Sequence, residues 1–377
     1  MGVRFELLSR VRDLPPEEWN RLAADAGPMM EWGYYDALEG SGSVSPERGY
    51  RPMHLVAYGS DSDRPVALAP LYERDRAWVE FGDGGLIEFL TQITGISYNH
   101  GVVGTLPFTP VPAYRFLFAP GADRTHWTRS LLSYIDYICE THGLMTARLY
   151  FIDNEAADLH AHLVQQGYVG LRTEYCLWFN RGYRTFDDYL QSFKSSRRTK
   201  IRRELKSIQA MGVDIRMVDG RDADLAAFDD LYGFYERTWL KHMGRQIRPF
   251  LNRSFFRLLY CNFRHRCSFS IATRDGERIG MAIFYGKGDH LYGRYWGCSR
   301  ETPFLHFAAC YYTPIRHAIE RGIRVVDPGF GGEHKLIRGY EVVPVTHYIK
   351  FYGESQRRIA MSVLRQLGLS RQAASKP

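Results

Sequence analysis

The sequence contains no run of 18 consecutive apolar residues, so no helix able to cross a bilayer is expected. Its 6 cysteines are scattered without a CxxC pair, which predicts reduced thiols and no metal site. The chain also lacks GxSxG, GxxxxGKS/T and strand-linked GxGxxG motifs. These absences argue against a hydrolase triad, a nucleoside triphosphatase and a dinucleotide site.

The 377 residues carry 49 Lys and Arg against 42 Asp and Glu, a formal net charge of +7. This modest basic excess fits an anionic substrate, or contact with RNA or lipid headgroups. With 45% hydrophobic and 24% charged residues, the composition is that of a globular chain. The first residues show no apolar stretch of a secretion signal and no Ser or Thr at position 6, so we expect a cytoplasmic protein without a myristoyl group.

Hydrophobic periodicity predicts two cycles of strands and helices. The first cycle includes a strand hairpin at 53–72 and a helix at 127–142. The second predicts helices at 186–212, 224–241, 254–262 and 306–321, a three-strand meander at 268–296 and a strand at 323–327. We therefore predict two α/β (α+β) domains of similar build, at 1–182 and 183–352, followed by a C-terminal helix and tail at 353–377.

The segment 194–206 is strongly basic, with 7 Lys or Arg residues and 1 acid. On a helix these charges cover nearly every face except the stripe of Ile201, Leu205 and Ile208. Such density is typical of phosphate contact, although a solvated helix face is the alternative. The cations expected to bind a donor are Lys194, Arg197, Arg198, Lys200, Arg202 and Arg203.

Two further segments carry candidate chemistry. In the predicted strand 292–298, Arg294 stands among aromatic residues and suits a carboxylate or phosphate, the alternative being a core strand whose arginine reaches solvent. The segment 327–340 follows the end of a strand, where α/β sheets place their sites, and its glycines allow a ligand to approach the backbone. Glu333, His334 and Lys335 follow there consecutively; a solvated glycine turn is the alternative.

Several short segments resemble the Fem-like peptidoglycan biosynthesis/recognition proteins, a family related to GNAT acetyltransferases. The segments that carry the resemblance are 38–44, 69–72, 107–111, 192–204, 291–298, 305–307, 310–312, 318–322 and 332–339. It covers roughly residues 10–350 and implies two tandem GNAT-like domains, each a mixed, largely antiparallel sheet flanked by helices. It also implies acyl or aminoacyl transfer to the amine of a small molecule or peptide, with no DNA partner.

Fem ligases take the aminoacyl group from charged tRNA, whereas ordinary GNAT enzymes take an acyl group from coenzyme A. The segment 299–304 holds no glycine, which argues against a standard pyrophosphate loop for coenzyme A. Aminoacyl-tRNA is therefore the expected co-substrate, with acyl-coenzyme A as the alternative and no tightly bound cofactor. Ala308 stands where the family usually carries an acid, which implies a changed substrate, as in a specialised biosynthetic pathway, or a base supplied by another residue.

In the expected mechanism, an amine attacks the carbonyl of an ester or thioester. Lys335 or Arg294 stabilises the resulting oxyanion, and Glu333 or His334 accepts the amine proton. Tyr295 is expected to protonate the leaving group. The residues expected to contact substrate are Trp296, His306, Asp327 and Arg338. Two rival hypotheses are a non-catalytic cell-wall or peptide-binding protein and an RNA-binding module that uses only the 194–206 helix.

Overall fold

The computed structural model describes residues 3–59, 63–75, 81–83, 85–331 and 333–369. Its strands are β1 (Arg4–Leu8), β2 (Arg51–Pro52), β3 (His54–Tyr58), β4 (Pro65–Ala69), β5 (Tyr72–Arg74), β6 (Gly101–Gly104), β7 (Leu117–Phe118), β8 (Thr146–Leu149), β9 (Val169–Phe179), β10 (Asp214–Asp219), β11 (Cys267–Arg274), β12 (Glu277–Lys287), β13 (His290–Cys298), β14 (Val325–Asp327) and β15 (Glu341–Phe351). Among these residues, no helix is long and apolar enough to cross a membrane.

The helices alternate with these strands through most of the chain. They are α1 (Pro16–Leu22), α2 (Trp32–Gly40), α3 (Leu86–Thr94), α4 (Arg124–Thr141), α5 (Ala157–Gln165), α6 (Phe186–Gln191), α7 (Ser195–Ala210), α8 (Leu225–Met243), α9 (Arg253–Asn262), α10 (Leu305–Phe307), α11 (Thr313–Arg321) and α12 (Glu354–Gln366). Between α10 and α11 lies a π-helical segment, Ala308–Tyr312. The 3-10 helices are Val11–Asp13, Pro28–Met30, Pro46–Arg48, Arg264–Arg266 and Glu333–Arg338.

Contacts between Cα atoms divide the chain into two units, Met1–Glu174 with Pro344–Pro377, and Tyr175–Val343. Strands β9 and β15 each begin in one unit and end in the other. The domain boundaries at 182/183 and 352/353 remain proposals from the sequence.

The first unit contains two sheets. One has the antiparallel order β1-β3-β4-β7, and its central pair confirms the hairpin predicted at 53–72. In the other, β6 pairs parallel with β8, and β5 and β15 add antiparallel strands on either side. Helices α3 and α12 pack on this second sheet through an apolar cluster that includes Leu90 and Leu364.

The second unit is built on a mixed sheet. Strands β10 to β13 form an antiparallel meander, and β13 then pairs parallel with β14. Helix α8 packs on one face, where the rings of Phe228 and Phe269 lie 4.9 Å apart. On the opposite face, Ile208 of α7 and Leu305 of α10 cover Ala272. The meander, with helices on both faces, is the arrangement predicted from the sequence.

Two predicted helices differ from the structure. The helix expected at 186–212 is two helices, because the hydroxyl of Ser192 bonds the Tyr189 carbonyl at 2.7 Å and competes with the helical ladder. The helix expected at 306–321 contains the π-helical segment just before Pro314. Proline has no N–H to donate to the carbonyl four residues earlier, so the helix loses a regular bond there.

Candidate active site

Strand β13 is irregular where the predicted site residues lie. Ile283 of β12 faces two residues of β13, Arg294 and Tyr295, where regular pairing would give one. On its other side, β13 pairs with β14 over His290–Tyr292 while continuing to Cys298. The two parallel strands therefore separate at the C-terminal end of β14, the usual position of a binding site in such sheets.

Asp327 ends β14 and is buried, with 1% of its surface exposed. Its carboxylate accepts hydrogen bonds from the Tyr175 hydroxyl, at 2.8 and 3.0 Å, and from the Gly329 N–H at 2.7 Å. Gly329 has a φ of +85°, and a Cβ there would lie 3.1 Å from the Gly293 carbonyl oxygen, so this turn requires glycine. Burial raises the pKa of Asp327, and the nearby Arg294 guanidinium opposes that increase.

Lys335 lies in the 3-10 helix and is 3% exposed. Its Nζ donates a hydrogen bond to the Gly329 carbonyl oxygen. Burial lowers the pKa of Lys335 to about 8, although the Asp327 carboxylate favours the charged form. An ammonium thus lies close to a buried carboxylate at the open end of β14. Such a group can stabilise negative charge on an oxygen or transfer a proton near neutral pH.

Arg338, at the end of the same 3-10 helix, is held by a buried polar cluster. Its guanidinium donates to Glu204 Oε2 at 3.2 Å, to the Tyr312 hydroxyl at 2.9 Å and to the His334 carbonyl at 2.8 Å. The Tyr312 hydroxyl donates to the same Glu204 oxygen at 2.6 Å. With its three nitrogens engaged, Arg338 fixes the 3-10 helix to α7. Its predicted contact with substrate stays a prediction.

A cleft of 860 Å³ lies where β13 ends and α10 begins. Trp296 and His306, both expected to contact substrate, lie in its wall. Its cationic and imidazole side chains are those of Arg237, Lys241, His242, Arg300 and His306. No side chain among the described residues caps α10, and the Leu305 N–H donates to the Thr302 carbonyl at 3.2 Å. Glu301 also lines the cleft and forms an ion pair with Lys241, so the excess positive charge that favours an anionic group comes from Arg237 and Arg300.

Aromatic rings surround His306 beside this cleft. Its ring centroid lies 5.6 Å from that of Trp296, 5.7 Å from Phe307 and 5.3 Å from Tyr311. Burial among these groups, assisted by nearby cations, lowers the pKa of His306 to about 4, so its imidazole is neutral near pH 7. His334 is exposed, and its ring lies 5.4 Å from Phe307. The structure thus brings both histidines to one aromatic cluster.

The basic helix predicted at 194–206 is present as α7, preceded by Lys194. Five of its cations are exposed, namely Lys194, Lys200, Arg202, Arg203 and Lys206, whereas Arg197 and Arg198 are half-buried. Arg198 donates to the Phe193 carbonyl at 2.8 Å, and Arg202 pairs with Asp187 at 3.1 Å. The inner face of α7 packs, through Leu205 and Ile208, against the cluster that includes Trp296 and Leu305. The cationic helix therefore lies beside the cleft.

Two of the predicted catalytic residues, Tyr295 and Glu333, are not placed beside Asp327 and Lys335. The ring of Tyr295 packs 5.4 Å from Tyr235 of α8 and 6.0 Å from Phe256 of α9, on the face opposite Trp296. Its role as a proton donor stays a prediction. The side chain of Glu333 lies outside the described part of the chain.

Sequence reasoning missed several residues that shape the site. Tyr175, which binds Asp327, lies in an ordinary aromatic strand with no distinguishing signal. Glu204 could have been recognised from the sequence, because it is the single acid in the basic segment 194–206. Two cations of the cleft, Arg237 and Lys241, lie at the end of α8. The sequence does not distinguish them, because amphipathic helices commonly carry such residues on their exposed face. Among the described residues, no group of three or more His, Cys, Asp or Glu is arranged to hold a metal.

Comparison with known proteins identifies the family and the fold. A family model described as FemAB-like, peptidoglycan biosynthesis/recognition, matches residues 10–372. No curated protein matches the chain. The match confirms the resemblance found in the sequence.

Solved structures share the fold at low sequence identity. The crystal structure of FemX is 11% identical, with 94% of this chain and 98% of that chain covered and a TM-score of 0.56. L-PGS from Bacillus licheniformis is 13% identical, with coverages of 93% and 96% and a TM-score of 0.52. The C-terminal domain of a putative lysylphosphatidylglycerol synthetase from Agrobacterium fabrum is 11% identical, with coverages of 92% and 96% and a TM-score of 0.52. These similarities confirm the predicted mixed α/β fold.

Proposed function

Because the chain belongs to the FemAB-like family, we propose that it is a transferase that moves an aminoacyl group from charged tRNA to an amine. The amine belongs to a small molecule or peptide. The observation that carries this proposal is the buried Lys335 ammonium, close to the Asp327 carboxylate where β13 and β14 separate. Acyl transfer develops negative charge on a carbonyl oxygen, and a preorganised cation in a buried site stabilises that charge.

The proposed reaction forms one C–N bond and breaks one C–O bond. The amine attacks the carbonyl carbon of the aminoacyl ester, and the carbonyl oxygen takes the negative charge opposite Lys335. A base accepts the amine proton. The candidates for this base are the imidazoles of His334 and His306 in the aromatic cluster, and the imidazole of His306 is neutral near pH 7. The tetrahedral intermediate collapses as the ester oxygen leaves with a proton.

The cationic surfaces support a nucleic-acid donor. Leu205 and Ile208 pack α7 against the cluster beside the cleft, so the exposed cations of this helix lie near it, and the cleft contributes Arg237 and Arg300. These groups extend over more than one helix, whereas the pyrophosphate of coenzyme A needs one compact anion site. Acyl-coenzyme A is the second candidate donor, favoured by the two arginines of the cleft, Arg237 and Arg300.

Donor binding tests the proposal directly. Mixed aminoacylated tRNA should bind saturably, and Lys200→Glu with Arg203→Glu should weaken binding at least about tenfold at low salt. The slope of log K against log salt concentration should fall by about 1 for each phosphate that the protein no longer neutralises. Arg365→Glu, which reverses an exposed charge on α12, is the matched control and should leave binding unchanged. Saturable binding of acyl-coenzyme A without tRNA binding would instead identify a coenzyme A-dependent acyltransferase.

The turnover number should depend on the charge of Lys335. Since burial lowers its pKa to about 8, the ammonium predominates below that pH and is lost above it. We therefore expect kcat to fall as the pH rises through about 8, measured between about pH 6 and pH 10 with a saturating donor. Lys335→Arg keeps its charge over this range and should remove the alkaline decrease. A wild-type profile that stays level to about pH 10 would show that this charge does not control the rate.

A further inference from the structure

Strand β10 forms an open edge of the second unit's sheet. It pairs with β11, with Asp214 opposite Thr273 and Asp219 opposite Ser268. Among the residues that the structure describes, no strand pairs with its other side. An edge of this kind presents backbone N–H and C=O groups to an incoming strand.

Concave surfaces lie on both faces of this edge. One groove, of 710 Å³, is lined by Ile215 and Met217 together with Arg316 and His317 of α11. The other, of 570 Å³, is lined by Asp214 and Arg216 together with Arg278. Because side chains of a strand alternate between faces, an added strand would direct its own side chains into these two grooves in turn.

The side chains of the edge are divided by face. Val213, Ile215 and Met217 lie on one face, where they pack partly against the apolar core of the unit. Asp214 and Arg216 lie on the other face, are exposed, and form an ion pair with each other. The edge thus combines an apolar row with a short row of opposite charges.

We propose that β10 pairs antiparallel with β10 of a second copy of this chain, about a two-fold axis through Ile215. In this register Ile215 lies opposite Ile215 of the other copy, and Val213 lies opposite Met217. Asp214 of each copy lies opposite Arg216 of the other copy. The four side chains form a square in which the sign of the charge alternates, so each charge has two neighbours of the opposite sign. Apolar and opposite-charge pairs directly across an antiparallel ladder are the stabilising ones.

Other registers are unfavourable. Side chains directly opposite each other in an antiparallel pair lie on the same face of the sheet. The two-fold axis must therefore pass through a residue position, and the alternative registers place it at a residue other than Ile215. A shift of the two-fold axis to Arg216 places two guanidinium groups opposite each other, and a shift to Asp214 does the same for two carboxylates. With the axis at Met217, Ile215 lies opposite Asp219. The charge pattern therefore selects the axis at Ile215 and selects a second copy as the partner.

The oligomeric state of the full chain tests this interface without any substrate. Sedimentation velocity from about 1 to about 100 μM should show a reversible monomer–dimer equilibrium. Arg216→Asp puts carboxylates opposite each other and should raise the dissociation constant at least about tenfold, as should Asp214→Arg with two cations. The double variant with both substitutions restores opposite charges and should recover the wild-type value within about threefold.

Arg245→Asp, an exposed reversal in a loop of the same unit, is the matched control and should leave the equilibrium unchanged. Thermal unfolding of each variant shows that it is folded. A wild-type chain that stays monomeric over the whole range would overturn the proposal. So would a dimer that neither single reversal weakens, or one that the double reversal fails to restore.

Discussion

Replacing Lys335 with alanine should lower kcat for aminoacyl transfer at least about tenfold, while the protein remains folded. The reason is that Lys335 is the buried ammonium at the open end of β14, and its removal leaves the developing oxyanion without that charge. The measurement is single-turnover transfer from charged tRNA to an amine acceptor, which separates the chemical step from product release.

Lys335→Met separates the charge from the packing of the side chain, because methionine fills a similar volume without an ammonium. It should lose as much turnover as the alanine variant and less stability. If turnover stays at the wild-type level in both variants, Lys335 has no part in the mechanism. If only the alanine variant is impaired, its contribution is structural.

The second large effect is expected at Glu204. Its carboxylate and the Arg338 guanidinium are each 2% exposed, with an N···O distance of 3.2 Å. Glu204→Ala leaves a buried guanidinium without its counter-charge, and we expect the free energy of unfolding to fall by about 3–5 kcal/mol. Chemical denaturation measures this change.

The matched control is another ion pair of the same helix. Arg202 and Asp187 lie 3.1 Å apart, with side chains 58% and 70% exposed. Water already solvates both groups, so Asp187→Asn should change the free energy of unfolding by less than about 1 kcal/mol. Equal losses at Glu204 and Asp187 would show that burial does not govern the strength of these pairs.

The sequence predicts the bounds of a helix closely where the helix has both a capping residue and a regular apolar spacing. Helix α8 was expected at 224–241 and spans Leu225–Met243, because Asp224 caps it and its apolar residues keep helical spacing. The break between α6 and α7 was missed, because it depends on the Ser192 hydroxyl bonding a backbone carbonyl. Ordinary helix propensity does not encode that choice.

The sequence indicated which segment carries the candidate site, but it did not indicate the contacts that its residues make. The strand end and the glycines pointed to Asp327 and Lys335, which the structure places in one buried region. The partners Tyr175 and Glu204 come from distant parts of the chain, 152 and 134 residues from the groups that they bind. Such pairings depend on tertiary packing, and hydrophobic periodicity carries no information about them.

The 3-10 helix at Glu333–Arg338 divides neighbouring residues between the interior and the surface. Its three residues per turn direct Lys335 and Arg338 inward together, so Leu336 and Ile337 between them face outward and are 50% and 39% exposed. The contacts that hold this segment in place are therefore made by Lys335 and Arg338. The side chains of Leu336 and Ile337 are largely in water, so they add little apolar area to the buried core.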